Sequence, residues 1–149
     1  MQFDKSICKE IGIYVYRLID PRNGETFYVG KGQSNRVFEH AKGKAEIQNE
    51  NEDSYDLKLK RIQEIKDSGL DVIHIIHRHK IKDDETAYEI EAALIDAYPG
   101  LTNSQSGRNS GDYGCRHAQQ IINEYMTLEF APKEPLILIC IQLKFPTFA

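Results

Sequence analysis

The sequence predicts an α/β (α+β) domain: a small, mainly antiparallel three-stranded sheet flanked by helices, followed by a C-terminal helix–strand extension. Three observations predict it. Residues 11–29 have a hairpin pattern, with two runs rich in β-branched and aromatic residues around a Pro-Arg-Asn-Gly turn. Helical patterns flank a third such run over residues 56–98. The chain of 149 residues is long enough for one domain with a real core.

The hairpin is predicted from a first strand over residues 11–19 and a returning strand over residues 25–29. A three-residue loop, Arg22-Asn23-Gly24, would pair Leu18 with Tyr28. Opposite residues of a hairpin point to the same side, and side chains alternate along each strand. One face would then carry Tyr14, Tyr16, Leu18, Tyr28 and Gly30. A four-residue loop, which the sequence also permits, would separate Tyr14 from Tyr28.

A turn and a short helix are predicted after the hairpin. Residues 30–34 have little side-chain bulk, which favours a turn. Ser34 or Asn35 can cap a helix over residues 35–42, where Arg36 and His40 share one side. The polar, acidic residues 46–55 are typical of an exposed loop.

The next elements are a helix over residues 56–68, ended by Gly69, and a third strand over residues 71–80. The apolar residues of that helix are Leu57, Leu59, Ile62 and Ile65.

A helix that begins at Asp83-Asp84 and ends before Pro99 carries one carboxylate in an unusual place. Its apolar stripe is Ala87, Ile90, Leu94 and Ala97. Its polar side holds Glu85, Glu89 and Asp96. Glu91 falls on the apolar side, where a carboxylate is costly unless it is paired, binds a metal or lines a cleft.

The remaining chain predicts a loop over residues 101–114, a helix over 116–130 and a buried strand over 135–145. We therefore divide the chain into an N-terminal lead (1–10), a main domain (11–114) and a C-terminal extension (115–149).

Charge and cysteine content narrow the class of protein. The net charge is −4, but residues 1–44 hold eight basic and five acidic side chains, and residues 45–100 hold seven and fourteen. The first third is thus the part suited to phosphate, unless the imbalance is an ordinary uneven surface. No apolar run reaches the roughly 20 residues that span a bilayer. With no secretory h-region and three scattered cysteines, we expect an intracellular protein, cytoplasmic in a bacterium or nuclear in a eukaryote.

The chain resembles the GIY-YIG nuclease superfamily. The resemblance rests on Gly12-Ile13-Tyr14, then Tyr28-Val29-Gly30 after a 13-residue spacer, and Arg36 in the helix that follows. Residues 90–95 resemble the helix that carries that fold's metal-binding glutamate, and Thr102-Asn103 resembles the asparagine that closes it. The resemblance covers about residues 11–104 and is strongest to LEM-3-type domains and their bacterial relatives.

The resemblance implies a divalent-metal-dependent DNA endonuclease, which could be selective for branched or structured DNA or act in DNA repair or defence; the sequence leaves the choice of DNA open. Glu91 would hold a single Mg²⁺ or Mn²⁺. Tyr14 would act as general base or orient the attacking water, and Tyr28 would orient water or phosphate. Arg36 would contact the scissile phosphate, His40 could assist, and Asn103 would support the site.

Further site residues follow from their chemistry. A free phenol has a pKa of about 10, so Tyr14 needs a cation nearby, and Lys31 is the candidate. Gly30 and Gly32 let the backbone approach a phosphate closely. Arg108, with the amides of its loop, could also contact phosphate.

Each of these residues has a structural alternative. The tyrosines could be ordinary strand aromatics, Arg36 a surface residue and His40 a packing residue. Glu91 could pair with a lysine, and the loop around Arg108 could be an ordinary loop. His74, His77 and His79 suggest a metal site, but only two of them share a strand face and no third ligand is evident.

Three other functions compete with the nuclease. A nucleotide-binding enzyme is disfavoured because residues 30–35 lack the complete glycine pattern of the known phosphate-binding motifs. A catalytically silent nucleic-acid-binding module with the same fold is the main alternative. The net charge of −4 keeps this alternative open, because strong non-specific DNA binders usually have a more basic surface. A protein-interaction module is the third, because the apolar residues 135–149 could support a homodimer or contact a separate targeting domain.

Overall fold

The structure is a computed structural model that describes residues 1–39 and 52–130, with side chains described for residues 1–39 and 57–126. Residues Met1–Cys115 form one compact unit, and Arg116–Ala149 form a second. In chain order the elements are α1 (Lys5–Ile11), β1 (Ile13–Ile19), β2 (Thr26–Gly32), α2 (Arg36–Glu39), α3 (Glu52–Asp67), β3 (Ile73–Ile81), α4 (Asp84–Ala97), α5 (Ser110–Tyr113) and α6 (Ala118–Phe130).

The predicted fold class is confirmed. The three strands form an antiparallel sheet in the order β2-β1-β3, and helices flank it. No helix in the described part of the chain has the length and apolar character needed to cross a membrane.

The hairpin has the predicted pairing but reaches it differently. Leu18 pairs with Tyr28, as the sequence predicts. The three-residue loop is wrong, because the amide of Asp20 donates to the Glu25 carbonyl (2.9 Å) and closes a four-residue loop. Ile19 pairs with Thr26, so Phe27 is an extra residue in β2. This bulge shifts the register by one residue and restores the shared tyrosine face.

The sheet separates two apolar clusters. One face packs against α2 and α3, and its cluster comprises Tyr14, Tyr16, Leu18, Phe27, Tyr28, Val37, Phe38, Ile62, Ile65 and Val72. The other face packs against α4, through Val15, Val29, Ile81 and Ala87 with partly buried neighbours such as Ile90 and Leu94. The two tyrosines of the motif therefore lie on the face opposite α4.

Several predicted boundaries are wrong. Strand β2 continues to Gly32, where a turn was predicted, because both edges of the strand find hydrogen-bond partners. Helix α3 begins at Glu52, inside the predicted loop over residues 46–55. The predicted lead contains α1, whose first turn is capped by the Asp4 side chain accepting from the Ile7 amide (2.8 Å). Residues 40–51 and the predicted strand over 135–145 lie outside the described residues.

Two other sequence-based assignments need correction. Within the predicted loop over residues 101–114, Ser110–Tyr113 form the short helix α5. Asp96, assigned to the polar side of α4, is half-buried and accepts a hydrogen bond from the Ser110 hydroxyl (2.8 Å). This contact ties α5 to α4.

The hairpin turn is held to α3 by a buried carboxylate. The Asp20 side chain is fully buried and accepts hydrogen bonds from the guanidinium groups of Arg22 (2.8 Å) and Arg61 (2.7 Å). The hydrogen bonds from Arg22, with the further bond from Arg61, hold the pKa of Asp20 well below its usual range, against the opposing effect of burial.

Candidate active site

The outer edge of β2 is covered by two side chains and a short backbone segment. The Asn103 amide group accepts from the Val29 amide (3.1 Å) and donates to the Val29 carbonyl (2.8 Å). The Thr102 amide donates to the Phe27 carbonyl (2.7 Å). Glu91 reaches the same edge from α4, and its Oε1 accepts from the Lys31 amide (2.6 Å). The edge therefore has partners from Phe27 to Lys31, and these contacts fix Glu91 and Asn103 beside the strand.

A cavity of about 360 Å³ lies at this edge. Strand β2 and helix α4 contribute Tyr28, Tyr88, Glu91 and Ile95 to its wall, and residues 103–108 complete the lining. The residues that line the cavity thus include one carboxylate, two phenols, two carboxamides and the guanidinium of Arg108. Four residues predicted for the site or its substrate contacts, Tyr28, Glu91, Asn103 and Arg108, meet here.

Tyr88 was not predicted for the site, and its ring contacts two cations. The Lys31 ammonium is 4.1 Å from the centroid of its ring, and Arg108 Cζ is 5.4 Å away. Each cation also pairs with a carboxylate of the first turn of α4, Lys31 with Asp84 (2.7 Å) and Arg108 with Glu85 (2.7 Å). Burial is the largest single effect and lowers the pKa of Lys31, but the interactions with Asp84 and Tyr88 together outweigh it and raise that pKa. A helical tyrosine among charged residues gave no sequence signal beyond ordinary periodicity.

Tyr14 is fully buried on β1 and is not one of the described residues that line the cavity. Its hydroxyl donates to the Ser34 carbonyl (2.9 Å) and accepts from the Val37 amide (3.2 Å). It therefore joins β1 to the first turn of α2. Burial raises the pKa of Tyr14 to about 12, although the hydrogen bond from the Val37 amide acts in the opposite direction.

The expectation that Lys31 lowers the pKa of Tyr14 is wrong for this arrangement. Tyr14 pairs with Gly32 across the hairpin, so Lys31, one residue away, points to the opposite face of the sheet. There its ammonium contacts Asp84 and Tyr88 instead of the Tyr14 hydroxyl.

Gly30 and Gly32 make room for the tyrosine rings. A Cβ on Gly30 would lie 2.8 Å from the Tyr28 ring and 2.9 Å from the Tyr16 ring. A Cβ on Gly32 would lie 2.9 Å from the Tyr14 ring. Packing alone therefore explains these two glycines, and their predicted approach to phosphate stays a prediction.

Arg36 is the first residue of α2 and is exposed, next to the Val37 amide that contacts Tyr14. Neither Arg36 nor Tyr14 is among the described residues that line the cavity. His40 lies outside the described residues, so its assisting role stays a prediction. Of the other histidines, His74 packs against the Phe38 ring with centroids 5.2 Å apart.

Sequence reasoning missed Lys58, a fully buried lysine on α3. The predicted apolar stripe began at Leu57, but Leu57 is 57% exposed, and Lys58 lies on the buried side with Ile62 and Ile65. The spacing i, i+4, i+7 of these three residues was the available signal, and it is the same argument that identified Glu91. The Lys58 ammonium is 4.3 Å from the centroid of the Tyr28 ring.

Comparison with known proteins agrees with this geometry. A family model described as the LEM-3-like GIY-YIG domain matches residues 13–124, about three quarters of the chain, and extends past residue 114. Searches of curated proteins and of solved structures gave no match.

Proposed function

The chain belongs to the family of LEM-3-like GIY-YIG domains, and on this premise we propose that it is a DNA endonuclease that hydrolyses phosphodiester bonds with a divalent cation. The observation that carries the proposal is the meeting of Tyr28, Glu91 and Asn103 around one cavity at the edge of β2. Hydrolysis requires a positioned water and a way to absorb the negative charge that develops on the phosphate. The cavity wall supplies groups suited to both tasks.

Glu91 is the residue that would hold the cation. Among residues 1–39 and 57–126, no group of three His, Cys, Asp or Glu side chains could hold a metal ion. A single carboxylate nevertheless fits Mg²⁺, which keeps several waters and binds through one or two carboxylates plus substrate phosphate. Glu91 Oε1 already accepts from the Lys31 amide, and a carboxylate has acceptor capacity for further partners. When bound, the cation would supply positive charge for the phosphate.

We assign the reacting phenol to Tyr28 rather than to Tyr14. Tyr28 lines the cavity with Glu91, whereas the Tyr14 hydroxyl is buried and bonded to Ser34 and Val37. As phenolate, Tyr28 would accept a proton from the attacking water while the water oxygen bonds to phosphorus. The bond from phosphorus to the departing strand then breaks, and its electron pair leaves with the oxygen. Tyr14 would act indirectly, by holding the start of α2 where Arg36 can reach a phosphate oxygen.

A second candidate is a catalytically silent nucleic-acid-binding module. The ion pairs Lys31–Asp84 and Arg108–Glu85 keep it open, because they engage two cations beside Tyr88 that would otherwise be available to stabilise the charge that develops during hydrolysis.

The test is cleavage of supercoiled plasmid, single strand, flap and four-way junction with Mg²⁺, with Mn²⁺ and with EDTA. We expect metal-dependent cutting that falls at least about 100-fold in Glu91→Gln and in Tyr28→Phe. Glutamine can still accept from the Lys31 amide, so this variant keeps the strand edge intact. The matched control is Glu89→Gln, an exposed site on the same helix. A folded protein that binds these DNAs and cuts none of them supports the second candidate.

A further inference from the structure

Lys58 occupies a place where lysine is rarely found. Its side chain is fully buried, on the face of α3 that also buries Ile62 and Ile65. Lysine almost never becomes fully buried without a compensating contact, because removing the ammonium from water is costly. A methionine or leucine would fill this position in an ordinary core, so the charge itself calls for an explanation.

The ammonium of Lys58 lies against the cavity tyrosine. Its Nζ is 4.3 Å from the centroid of the Tyr28 ring, within the range of a favourable cation–π contact. Tyr28 is 8% exposed, and it lines the same cavity as Glu91. Lys58 thus contacts Tyr28 from α3, on the opposite side of the sheet from α4.

Such a contact acts more strongly on the phenolate than on the phenol. A cation over a neutral ring is attracted by its electron-rich face. When the phenol loses its proton, part of the negative charge spreads over the same ring, and the attraction becomes one between opposite charges at low dielectric. Within the part of the chain that the structure describes, the other titratable or charged side chains that share the cavity or the cluster with Tyr28 are Tyr14, Tyr16, Tyr88, Glu91 and Arg108.

We propose that Lys58 is a positioning residue of the nuclease site, which fixes the Tyr28 ring and stabilises its phenolate. The inference rests on the proposed function for its role in cleavage. Lys58 is the cation beside Tyr28. From the sequence, such a cation is expected beside Tyr14, with Lys31 in this role.

The first test is independent of cleavage. Tetranitromethane nitrates tyrosine through the phenolate, so peptide mass spectrometry at a fixed, mildly alkaline pH reports how much phenolate Tyr28 forms. We expect Lys58→Met to lower the nitration rate of Tyr28 about tenfold, and Lys58→Arg to retain most of it. Tyr113, which is 81% exposed, serves as the internal reference. The matched control is Lys60→Met, which removes the same charge from the exposed side of α3.

The second test separates positioning from DNA attraction. Lys58→Met is expected to lower kcat about tenfold with KM unchanged. Lys60→Met should leave kcat unchanged, and Lys58→Arg should retain most of the wild-type kcat. Equal Tyr28 nitration in folded wild type and folded Lys58→Met overturns the proposal. Reduced nitration with no cleavage by any form supports the contact and overturns the nuclease function. If Lys58→Met does not fold, nitration rises at every tyrosine, and the comparison is made with Lys58→Gln.

Discussion

At the scale of single residues, the two motif tyrosines differ because their surroundings differ. Tyr14 is buried with both hydrogen-bond functions of its hydroxyl used, by Ser34 and Val37. Tyr28 lies at the cavity wall, with the Lys58 ammonium over its ring. Tyr14 therefore supports the fold, whereas Tyr28 lines the cavity.

Removal of each hydroxyl should separate these roles. Tyr14→Phe leaves the Val37 amide and the Ser34 carbonyl without their partner, so we expect a loss of about 1–3 kcal/mol in the free energy of unfolding. Tyr28→Phe should reduce cleavage strongly, because Tyr28 lines the cavity, whereas Tyr14→Phe should reduce it less. Urea unfolding measures the stability of Tyr14→Phe, and the plasmid assay measures cleavage by both variants. An equal loss of cleavage in the two folded variants would contradict the assignment.

At the scale of elements, the first turn of α4 determines how much unpaired positive charge lies beside the cavity. Its carboxylates Asp84 and Glu85 each pair with a cation, Lys31 and Arg108 respectively, and both cations contact the Tyr88 ring. Both pairs are partly solvent-exposed, so each contributes little to stability, on the order of 1 kcal/mol or less. Their larger effect is on which cations are free to meet phosphate.

The combined variant Asp84→Asn, Glu85→Gln should bind DNA more tightly. Release of two cations adds up to two phosphate contacts, so the slope of log K against log salt should steepen by up to about 1.8. Fluorescence anisotropy across a salt series measures this slope. Glu89→Gln, which removes one negative charge from the same helix where the double variant removes two, should shift affinity without steepening the slope. An unchanged slope in the double variant would show that the pairs do not compete with DNA.

The edge of β2 depends on a carboxamide that both donates and accepts. Asn103→Asp keeps the acceptor for the Val29 amide but loses the donor to the Val29 carbonyl, and Asn103→Ala loses both. We expect Asn103→Ala to cost about 1–3 kcal/mol in the free energy of unfolding, and Asn103→Asp to fall between it and wild type. Thermal or urea unfolding gives the order, and Asn103→Ala equal to wild type would refute it.

The sequence allowed the strand pairing to be predicted better than the strand ends. Alternation and turn chemistry predict that Leu18 faces Tyr28, but the bulge at Phe27 is invisible to them because a bulge has no fixed residue type. The extension of β2 to Gly32 depends on Glu91, which is 60 residues away from Lys31 in the chain. Local patterns do not contain such distant hydrogen bonds.

The same limit explains which residues of the candidate site could be predicted from the sequence and which could not. Glu91 could be predicted because a carboxylate interrupts an apolar stripe. Lys58 was missed because Leu57 and Leu59 on either side of it suggested a different buried face. Tyr88 and the pairing of Lys31 with Asp84 became visible only when α4 was placed beside β2.

At the scale of the whole molecule, Asp20 couples stability to pH, because it joins the hairpin turn to α3 through Arg22 and Arg61. The pKa of Asp20 is lower in the folded protein than the value of about 3.9 in an unfolded chain. The unfolded chain therefore takes up this proton more readily. The stabilising contribution is complete above about pH 4 to 5 and is lost progressively as the pH falls below that range.

Asp20→Asn tests this coupling. At neutral pH it should lower the free energy of unfolding by about 2 kcal/mol, because asparagine has no negative charge for the two guanidinium groups and keeps only one of the two acceptor oxygens. The difference from wild type should shrink as the pH falls below about 4, because Asp20 of the unfolded wild-type chain gains a proton there before Asp20 of the folded protein does. Urea unfolding at a series of pH values measures the difference, and a constant gap at every pH would count against this role.

The hydrogen bond from the Lys31 amide to Glu91 also bears on how such domains change over evolutionary time. A lineage that abandons DNA cleavage still needs an acceptor at that strand edge, so selection for folding alone would preserve the glutamate or a glutamine. Surveys that count this acidic residue as proof of a working nuclease would then overestimate the number of active members. A glutamine at this position would mark descendants that keep the fold but have lost the cleavage activity.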